Sequence, residues 1–449
     1  MSTVGKELRG RHKAIEPARS SRRTEFWPGQ DYFRQPGLCA PREQLRSFSV
    51  TAIRFAAIAL SAILATPGVA AGSSRSAASA PYVPCPAVKP PVPPPAAPSP
   101  PPVDPADLAV GGETLATAGL AIPAGASMAP AVTATSWVVA DLDSGAVLGG
   151  CGPHEHRTPA SVQKMLLAAA LMPHLDPAQV VEVARADLQD LDPASSRMGV
   201  VEGGRYSIES LWLGLLLRSG NDAANVLARA GGGTAGREGG VRAMNDEARR
   251  LGANQTHAAT PSGLDGPGQY TSAYDLALIA RATYARADFR RYIGTRVAEI
   301  PAEPGTPGFS ITHDNTLLDH YPGTLGGKTG FTDLARQTYV GVAERNGRRL
   351  AVTLLGAETA PLGSLGEAAA LLDWGFALPP GASVGRLVTP DEKKQDRPIA
   401  EVRGERHGHA GAGSPFSLAA VLGLGAVVLA APLLAVPWRR RAARRAANP

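Results

Sequence analysis

The alternation of apolar and polar positions predicts strands at both ends of the folded part of this chain, with helices between them. Residues 137–148 alternate around Asp143–Gly145, which is typical of two strands joined by a turn. Near the other end, Gln337–Glu344 and Arg349–Leu355 alternate around Asn346-Gly347, a strong hairpin signal. This order predicts an α+β layer fold in which an antiparallel sheet, built from both ends of the domain, packs with helices.

Six segments carry the apolar spacing of helices: Val162–Met172, Ile208–Arg218, Asp222–Arg229, Val241–Leu251, Tyr274–Tyr284 and Leu365–Trp374. The first of them follows Thr158-Pro159-Ala160 and is apolar nearly all round, which predicts a buried central helix. The second breaks at Ser219-Gly220, so we expect a helical subdomain that carries a turn at this point.

The predicted globular domain spans residues 105–380, and the flanking segments have other compositions: an N-terminal extension with a signal peptide (1–71), a Pro-rich disordered linker (72–104), a polar linker (381–415), a transmembrane helix (416–437) and a basic cytoplasmic tail (438–449). The signal peptide is predicted from the apolar run Phe55–Ala65, which precedes the small residues Val69-Ala70-Ala71 that suit a cleavage site. The alternative is that this run is an uncleaved membrane anchor. A run of about 20 apolar residues before an arginine cluster predicts the membrane helix, with a buried core helix as the alternative. We therefore expect an exported, membrane-anchored chain whose folded domain is extracytoplasmic.

Charge and composition exclude some kinds of partner. The formal net charge is +6, yet residues 104–380 carry 21 Lys and Arg against 29 Asp and Glu residues. The folded domain is therefore mildly acidic and lacks the basic patch of a nucleic-acid-binding protein. The positive charge lies in the terminal segments.

The cysteines and histidines predict neither a disulfide framework nor a metal site. Cys39 precedes the predicted cleavage site, while Cys85 and Cys151 either pair after export or remain free. Neither cysteine has metal-ligand spacing. His154-Glu155-His156 has no further ligands near it in sequence, so we interpret it as a surface loop. No cofactor is expected.

Lysine usage points to the chemistry. Residues 104–380 contain two lysines, Lys164 and Lys328, against nineteen arginines. Arginine stays protonated in proteins, whereas lysine can give up its proton. Because this domain uses arginine at nearly all of its basic positions, a lysine in it indicates that the chemistry requires an amine. Lys164 ends the S-x-x-K motif Ser161–Lys164, and Lys328 begins the K-T-G motif Lys328–Gly330. The S-x-N motif Ser219–Asn221 lies between them.

The S-x-x-K spacing places Ser161 and Lys164 on one face of a helix. Serine is a weak nucleophile that needs an adjacent base, and a buried lysine near another cation has a lowered pKa. The Ser161 N–H, at the positive end of the helix, is a candidate oxyanion donor. The glycine-rich strand Leu325–Thr332 would let a substrate backbone approach closely. Each motif alone occurs by chance, as a turn or an exposed lysine, but all three in this order indicate one site.

These residues resemble the penicillin-binding, serine-active D-alanyl-D-alanine carboxypeptidases and the serine β-lactamases, and the low-molecular-mass carboxypeptidases (peptidase family S11) are the closer match. The resemblance covers about residues 130–378 and includes the three motifs, residues 137–145, Thr260–Leu264 and Tyr274–Arg281. It implies the β-lactamase/transpeptidase-like fold. It also implies removal of the terminal D-alanine from peptidoglycan stem peptides in cell-wall remodelling, with β-lactam antibiotics as inhibitors.

The resemblance further implies a role for each motif residue. Ser161 would be the acylated nucleophile, Lys164 its base, and Ser219 a proton relay to the leaving group. The implied substrate-binding residues are Asn221, which positions the peptide amide, Lys328 and Thr329, which hold the terminal carboxylate, and Gly330 and Phe331, the latter with an oxyanion N–H. The sequence departs from the family pattern in two ways. Arg336 stands where a glycine is common, and this arginine either adds carboxylate recognition or is merely exposed. In addition, no β-rich domain follows residue 380.

Two other functions fit the sequence less well. A serine β-lactamase of the common class would carry S-D-N and a later E-x-x-x-N glutamate, whereas Gly220 occupies the middle position here and no E-x-x-x-N follows it before Lys328. A catalytically silent, membrane-tethered wall-binding protein would have no need of an intact Ser161 and Lys164. We therefore predict a serine carboxypeptidase.

Overall fold

The computed structural model describes residues 82–93, 101–189, 191–303 and 305–390. The predicted signal peptide at residues 1–71 and the predicted transmembrane helix at residues 416–437 both lie outside these ranges. Among the described residues, no helix has the length and apolar character needed to cross a bilayer.

One large antiparallel sheet organises the domain. In chain order the strands are β1 (Leu120–Ala121), β2 (Ser136–Asp141), β3 (Ala146–Cys151), β4 (Val180–Glu182), β5 (Arg205–Ser207), β6 (Val297–Ile300), β7 (Phe309–Thr312), β8 (Thr324–Thr332), β9 (Arg336–Arg345), β10 (Arg348–Ala357) and β11 (Gly385–Arg386). Seven of them form the sheet in the order β1-β3-β2-β10-β9-β8, with β11 paired to β3. Strand β2 pairs directly with β10, Val139 opposite Val352, so the prediction that both ends of the domain share a sheet is confirmed.

Helices cover both faces of the sheet. They are α1 (Lys164–Leu171), α2 (Arg185–Leu188), α3 (Ile208–Leu217), α4 (Asn221–Gly231), α5 (Gly236–Leu251), α6 (Ala273–Tyr284), α7 (Ala287–Ile293), α8 (Leu317–His320) and α9 (Gly363–Ala377). Because side chains alternate across a strand, Val138 and Ala140 of β2 join the core that contains α1 and α6, while Trp137 and Val139 join the core that contains α9. The sheet is therefore buried on both sides, as the layer fold requires.

The predicted central helix is present, but it begins differently from the expectation. All eight residues of α1 are buried, which confirms the prediction of a buried helix from its unbroken apolar character. The residues before it, Ala160–Gln163, form a 3-10 turn. Ser161 therefore lies in this turn, immediately before the α-helix, rather than in the first turn of the helix itself.

Segments at both edges of the predicted domain are joined to it. Val88 N–H donates to the Val132 oxygen over 3.0 Å, and Leu120 N–H donates to the Val83 oxygen over 2.7 Å. Cys85 and Cys151 form a disulfide, so the pairing that the sequence left open is present. At the other edge, β11 extends the sheet beyond residue 380. The packed unit thus includes parts of both segments that the sequence analysis assigned to linkers.

The histidine pair is buried, so its interpretation as a surface loop is wrong. His154 is 1% exposed, and its ring nitrogens contact the Val110 oxygen at 3.0 Å and Gln255 Oε1 at 3.3 Å. Burial lowers the pKa of His154 to about 4. His156 contacts the Pro101 oxygen through Nδ1 at 2.7 Å. The described residues contain no group of three ligands that would hold a metal ion.

Candidate active site

The S-x-x-K motif brings a hydroxyl and an amine into direct contact. Lys164 Nζ donates to Ser161 Oγ over 2.8 Å and to the Ser262 carbonyl oxygen over a further 2.8 Å. The 3-10 turn followed by the α-helix makes this contact possible, because residues three apart lie on one face in both conformations. The predicted pairing of Ser161 with Lys164 is present in the structure.

The turn that carries Ser161 is held from two sides. Thr338 of β9 donates through Oγ1 to the Pro159 oxygen over 2.9 Å. On the other side, a Cβ added to Gly263 would lie 1.9 Å from the Ala160 oxygen, so only glycine lets the loop approach this closely. Ala160 itself has φ 50°, a conformation that non-glycine residues rarely adopt. Such strain persists where the surroundings fix it, and it is common at active sites.

Electrostatics at Lys164 favour the neutral amine. Its side chain is completely buried. Burial, and secondarily the charge of Lys328, lower the pKa of Lys164 well below its ordinary value, and Asp222 opposes them. A lowered pKa makes the neutral amine more accessible, and a neutral amine 2.8 Å from a serine hydroxyl can accept the proton of that hydroxyl.

The K-T-G motif lies on β8, the edge strand of the sheet, as predicted. Strand β8 runs directly along the Ser161 turn, because a Cβ added to Gly330 would lie 2.8 Å from the Ser161 nitrogen. Lys328 is 1% exposed and donates to the Thr329 oxygen over 2.6 Å. Burial lowers the pKa of Lys328 to about 8, with the Asp314 charge opposing. The strand thus places a titratable cation within electrostatic reach of the Lys164 amine.

The S-x-N motif forms the turn between α3 and α4. Ser219 is 5% exposed and has φ 57°, again a left-handed conformation. Asn221 begins α4, and its Oδ1 atom is buried without a hydrogen-bond partner. Buried polar atoms normally find partners, so an unpaired amide oxygen at a site is available for a ligand donor. The role of Asn221 in holding a peptide amide stays a prediction.

Arg336 matches neither alternative that the sequence left open. Its guanidinium donates to both carboxylate oxygens of Glu358, over 2.9 and 2.8 Å, and lies 5.5 Å from the centre of the Phe331 ring. The arginine is therefore neither simply exposed nor free to hold a substrate carboxylate. The Phe331 side chain is 55% exposed beside the K-T-G motif. Arg336 supports this ring.

Sequence reasoning missed two groups of the site. The Ser262 oxygen accepts from Lys164, although Thr260–Leu264 carried no role beyond the resemblance. Asp222, the residue after the S-x-N motif, acts on Lys164 through its charge. A glycine at position 263 signalled a tight turn, but only the fold shows which atoms that turn presents.

Comparison with known proteins agrees with this geometry. The model of the family Peptidase_S11, described as D-alanyl-D-alanine carboxypeptidase, matches residues 124–359. D-alanyl-D-alanine carboxypeptidase DacB2 of Mycobacterium tuberculosis is 44% identical over 269 residues, which cover 59% of this chain and 90% of that protein. DacD of Escherichia coli is 34% identical over 258 residues, but this chain spans only 64% of its length.

Solved structures show the same fold. A D-alanyl-D-alanine carboxypeptidase from Mycobacterium tuberculosis superposes with a TM-score of 0.56 at 42% identity, over 59% of this chain and 99% of the other. The DD-transpeptidase of Streptomyces K15 superposes with a TM-score of 0.53 over 56% of this chain and 100% of the other. At 24% identity, the second likeness shows the fold alone.

Proposed function

The chain belongs to the peptidase S11 family of D-alanyl-D-alanine carboxypeptidases, which are serine hydrolases, and on that premise we propose how its residues perform the reaction. The substrate is a peptidoglycan pentapeptide stem that ends in D-alanyl-D-alanine. Ser161 attacks the carbonyl carbon of the last peptide bond, and the terminal D-alanine leaves. The observation that carries this assignment is the 2.8 Å contact between Ser161 Oγ and the completely buried amine of Lys164.

Acylation begins with a proton transfer. Neutral Lys164 takes the proton of Ser161 Oγ as that oxygen bonds to the substrate carbonyl carbon. The negative charge that develops on the carbonyl oxygen is held by the backbone N–H groups of Ser161 and Phe331, which the close approach of β8 to the Ser161 turn would bring to one point. When the tetrahedral intermediate collapses, Ser219 donates its proton to the nitrogen of the departing D-alanine and regains one from the Lys164 ammonium, so that Lys164 is neutral again. The carbon–nitrogen bond then breaks.

Deacylation returns the enzyme to its starting state. A water molecule attacks the acyl carbon while Lys164 accepts one of its protons. The ester bond to Ser161 Oγ breaks, and the serine oxygen regains a proton from Lys164. Hydrolysis therefore releases the shortened stem peptide and leaves the Ser161–Lys164 pair unchanged, with no cofactor required.

Substrate binding is assigned to the edge strand and the S-x-N turn. Lys328 as an ammonium ion, with the Thr329 hydroxyl, holds the terminal carboxylate of the stem peptide. The substrate backbone extends along β8, where Gly330 leaves no side chain in its way. Asn221 pairs with a peptide amide through the oxygen that otherwise lacks a partner. Penicillin would acylate Ser161 in the same pocket because its lactam amide takes the place of the scissile peptide bond.

We further propose that the domain acts outside the cell membrane. The apolar run Phe55–Ala65 supports export, and the apolar segment 416–437 with the arginines after it supports an anchor. Deletion of residues 416–449 should release active enzyme into the medium. Retention of the truncated protein in the membrane would instead mean that Phe55–Ala65 stays uncleaved and is the anchor.

Mass spectrometry of the penicillin-treated full chain tests the assignment of the nucleophile. One penicillin mass should appear on the tryptic peptide 158–164, which contains Ser161, and incubation with a pentapeptide stem should release D-alanine. Ser161→Ala should lose both signals. Labelling that persists in that variant would contradict the assignment, and rapid turnover of penicillin would favour a β-lactamase.

A further inference from the structure

Asp222 connects the S-x-N turn to a separate segment of the chain. Its Oδ1 atom accepts the Met198 N–H over 2.8 Å, and its Oδ2 atom accepts the N–H groups of Gly199 and Val200 over 2.7 and 3.2 Å. The neighbouring Asn221 N–H donates to the Ser196 oxygen over 2.9 Å. Residues 196–200 are therefore fastened to the turn by four hydrogen bonds, three of which end on one carboxylate.

The carboxylate of Asp222 is buried, and no salt bridge to it forms within the described ranges. It is 1% exposed, and in the described part of the chain its hydrogen-bond donors are backbone N–H groups, the fourth being Ala223 at 2.9 Å. Burying a charge is costly unless donors replace the lost water. A carboxylate accepts at both oxygens, whereas a carboxamide accepts at one and presents N–H donors at the other. The four donors therefore specify aspartate rather than asparagine at this position.

The turn next to Asp222 has little freedom. A Cβ added to Gly220 would lie 2.8 Å from Asp222 Oδ1 and 2.9 Å from the Met198 nitrogen. Ser219, immediately before it, has φ 57°. A left-handed serine needs surroundings that hold it there. Residues 196–200, fastened by Asp222, provide one wall of those surroundings.

The charge of Asp222 also reaches the Lys164 amine. Burial and Lys328 on β8 lower the pKa of Lys164, and Asp222 on α4 is the group that opposes them. Helix α6, which also packs against α1, carries the buried Asp275, but that carboxylate accepts from Thr256 over 2.8 Å and is not among the groups that act on Lys164. Among the described residues, the amine donates hydrogen bonds to Ser161 Oγ and the Ser262 oxygen.

We propose that Asp222 is a positioning residue for the carboxypeptidase reaction: its carboxylate holds the Ser219–Asn221 turn in place. Helix α4, which carries Asp222, packs against α1, which carries Lys164, so the charge of Asp222 also acts on the Lys164 amine, against that of Lys328. The inference rests on the proposed function, because it assumes that Lys164 is the base and that Ser219 and Asn221 face the substrate. It distinguishes Asp222 from a purely structural buried acid, because a structural acid would have no influence on the protonation of the base.

The test measures the second-order rate of penicillin acylation against pH in the full-length protein. For Asp222→Asn we expect about a tenfold to hundredfold loss on the plateau, because a displaced turn costs rate through misplaced groups. Loss of the negative charge makes the Lys164 ammonium less stable, so the acidic limb of the profile should move to lower pH. The ratio of the variant's acylation rate to the parent's should therefore be about threefold or more higher at the low-pH end of the acidic limb than on the plateau.

Asp187→Asn is the matched control. Asp187 is also a buried carboxylate, 2% exposed, that accepts a backbone N–H, from Ala184 over 2.9 Å, but it pairs with Arg229 and is not among the groups that act on Lys164. Its replacement should lower the melting temperature without moving the acidic limb. Asp222→Glu keeps the negative charge but lengthens the side chain by one methylene. Its acylation rate on the plateau should therefore fall, while the acidic limb of its pH profile should stay at the pH of the parent.

The outcomes are separable. If the parent protein is not acylated at Ser161, the proposed function fails, and the positioning role of Asp222, which rests on it, is overturned with it. If the parent is acylated but Asp222→Asn keeps the parent limb, the electrostatic role is wrong; if it keeps the parent plateau, the positioning role is wrong. Should Asp222→Asn fail to fold, the Glu variant decides: an unchanged plateau rate, or a moved limb, overturns the proposal.

Discussion

Lys164 and Lys328, the two lysines of residues 104–380, are both buried, yet their surroundings differ. Lys164, on the helical side of the site, contacts Ser161 Oγ and the Ser262 oxygen and faces a second cation. Lys328, on the edge strand, contacts a backbone oxygen and faces Asp314. Burial lowers the pKa of both. At Lys164 the charge of Lys328 lowers the pKa further and Asp222 opposes it, whereas at Lys328 the charge of Asp314 opposes the effect of burial. In the proposed mechanism, the same residue type therefore serves as a proton acceptor at one position and as a cation at the other.

The largest effect should follow from Lys164→Arg. Arginine keeps the positive charge but cannot accept a proton, so acylation of Ser161 by penicillin should fall by about 10²–10⁴, the usual contribution of a general base. Stopped-flow acylation rates, with folding checked by thermal melting, measure the change. A variant that folds and acylates within a few fold of the parent would show that another group is the base.

A side chain at Gly330 should separate the two halves of the site. In Gly330→Ala the new Cβ would lie 2.4 Å from Thr338 Oγ1 and 2.8 Å from the Ser161 nitrogen, so β8 must move away from the nucleophile. A displacement of about 1 Å can cost about a hundredfold in rate. Gly266→Ala is the control, since nothing lies within 4 Å of that position. Equal acylation rates in the two variants would mean that the close approach of β8 is dispensable.

Lys328→Arg should cost less than Lys164→Arg, because a guanidinium also attracts a carboxylate, though with different geometry. We expect about a tenfold to hundredfold loss in kcat/KM for D-alanine release, mostly through a higher KM. A loss confined to kcat would contradict a binding role for Lys328.

The pH profile sharpens the same comparison. Because burial lowers the pKa of Lys328 to about 8, the free enzyme loses its ammonium above that pH, and kcat/KM should fall there. A bound carboxylate restores the ammonium, so kcat should hold to higher pH. In Lys328→Arg the alkaline limb should disappear, since arginine does not titrate in this range. An unchanged alkaline limb would assign that limb to another group.

Arg336→Gly should give the smallest effect. It removes the pair with Glu358 and the support of the Phe331 ring, but it also relieves a left-handed φ of 57°. We expect a change of about twofold to fivefold in KM with kcat nearly unchanged. Arg349→Ala, which breaks the pair with Asp143 at the opposite end of the β9–β10 hairpin, should leave both constants at the parent values. A large fall in kcat for Arg336→Gly would require a direct role for the arginine.

Much of this arrangement follows from the sequence. The period-two alternation around Asn346-Gly347 predicted the β9–β10 hairpin, and the all-apolar run after Ser161 predicted the buried helix. The rarity of lysine singled out Lys164 and Lys328 before any contact was known. These features are local, or depend on residue types, and a single sequence contains them.

The remaining features depend on segments that are distant in the chain. The hydrogen bonds of Asp222 to residues 198–200, the burial of His154 against Gln255 and the Cys85–Cys151 disulfide each join positions whose proximity is decided by packing. The 3-10 turn at Ser161 could not be predicted from the sequence either, because alanine is not a residue type that indicates the positive φ found at Ala160. The periodicity of apolar residues does not predict contacts of this kind.

The protonation of the two amines tests the central claim most directly. Lysine labelled with ¹⁵N at Nζ and followed by NMR against pH reports each amine, with the two resonances assigned through Lys164→Arg and Lys328→Arg. The account predicts that Lys328 titrates near pH 8 and that the pKa of Lys164, lowered by burial and by the charge of Lys328 against the opposing charge of Asp222, lies well below that of an ordinary lysine. If Lys164 instead holds its proton to the pH of an ordinary lysine, it is no base for Ser161, and the division of roles between the two lysines is wrong.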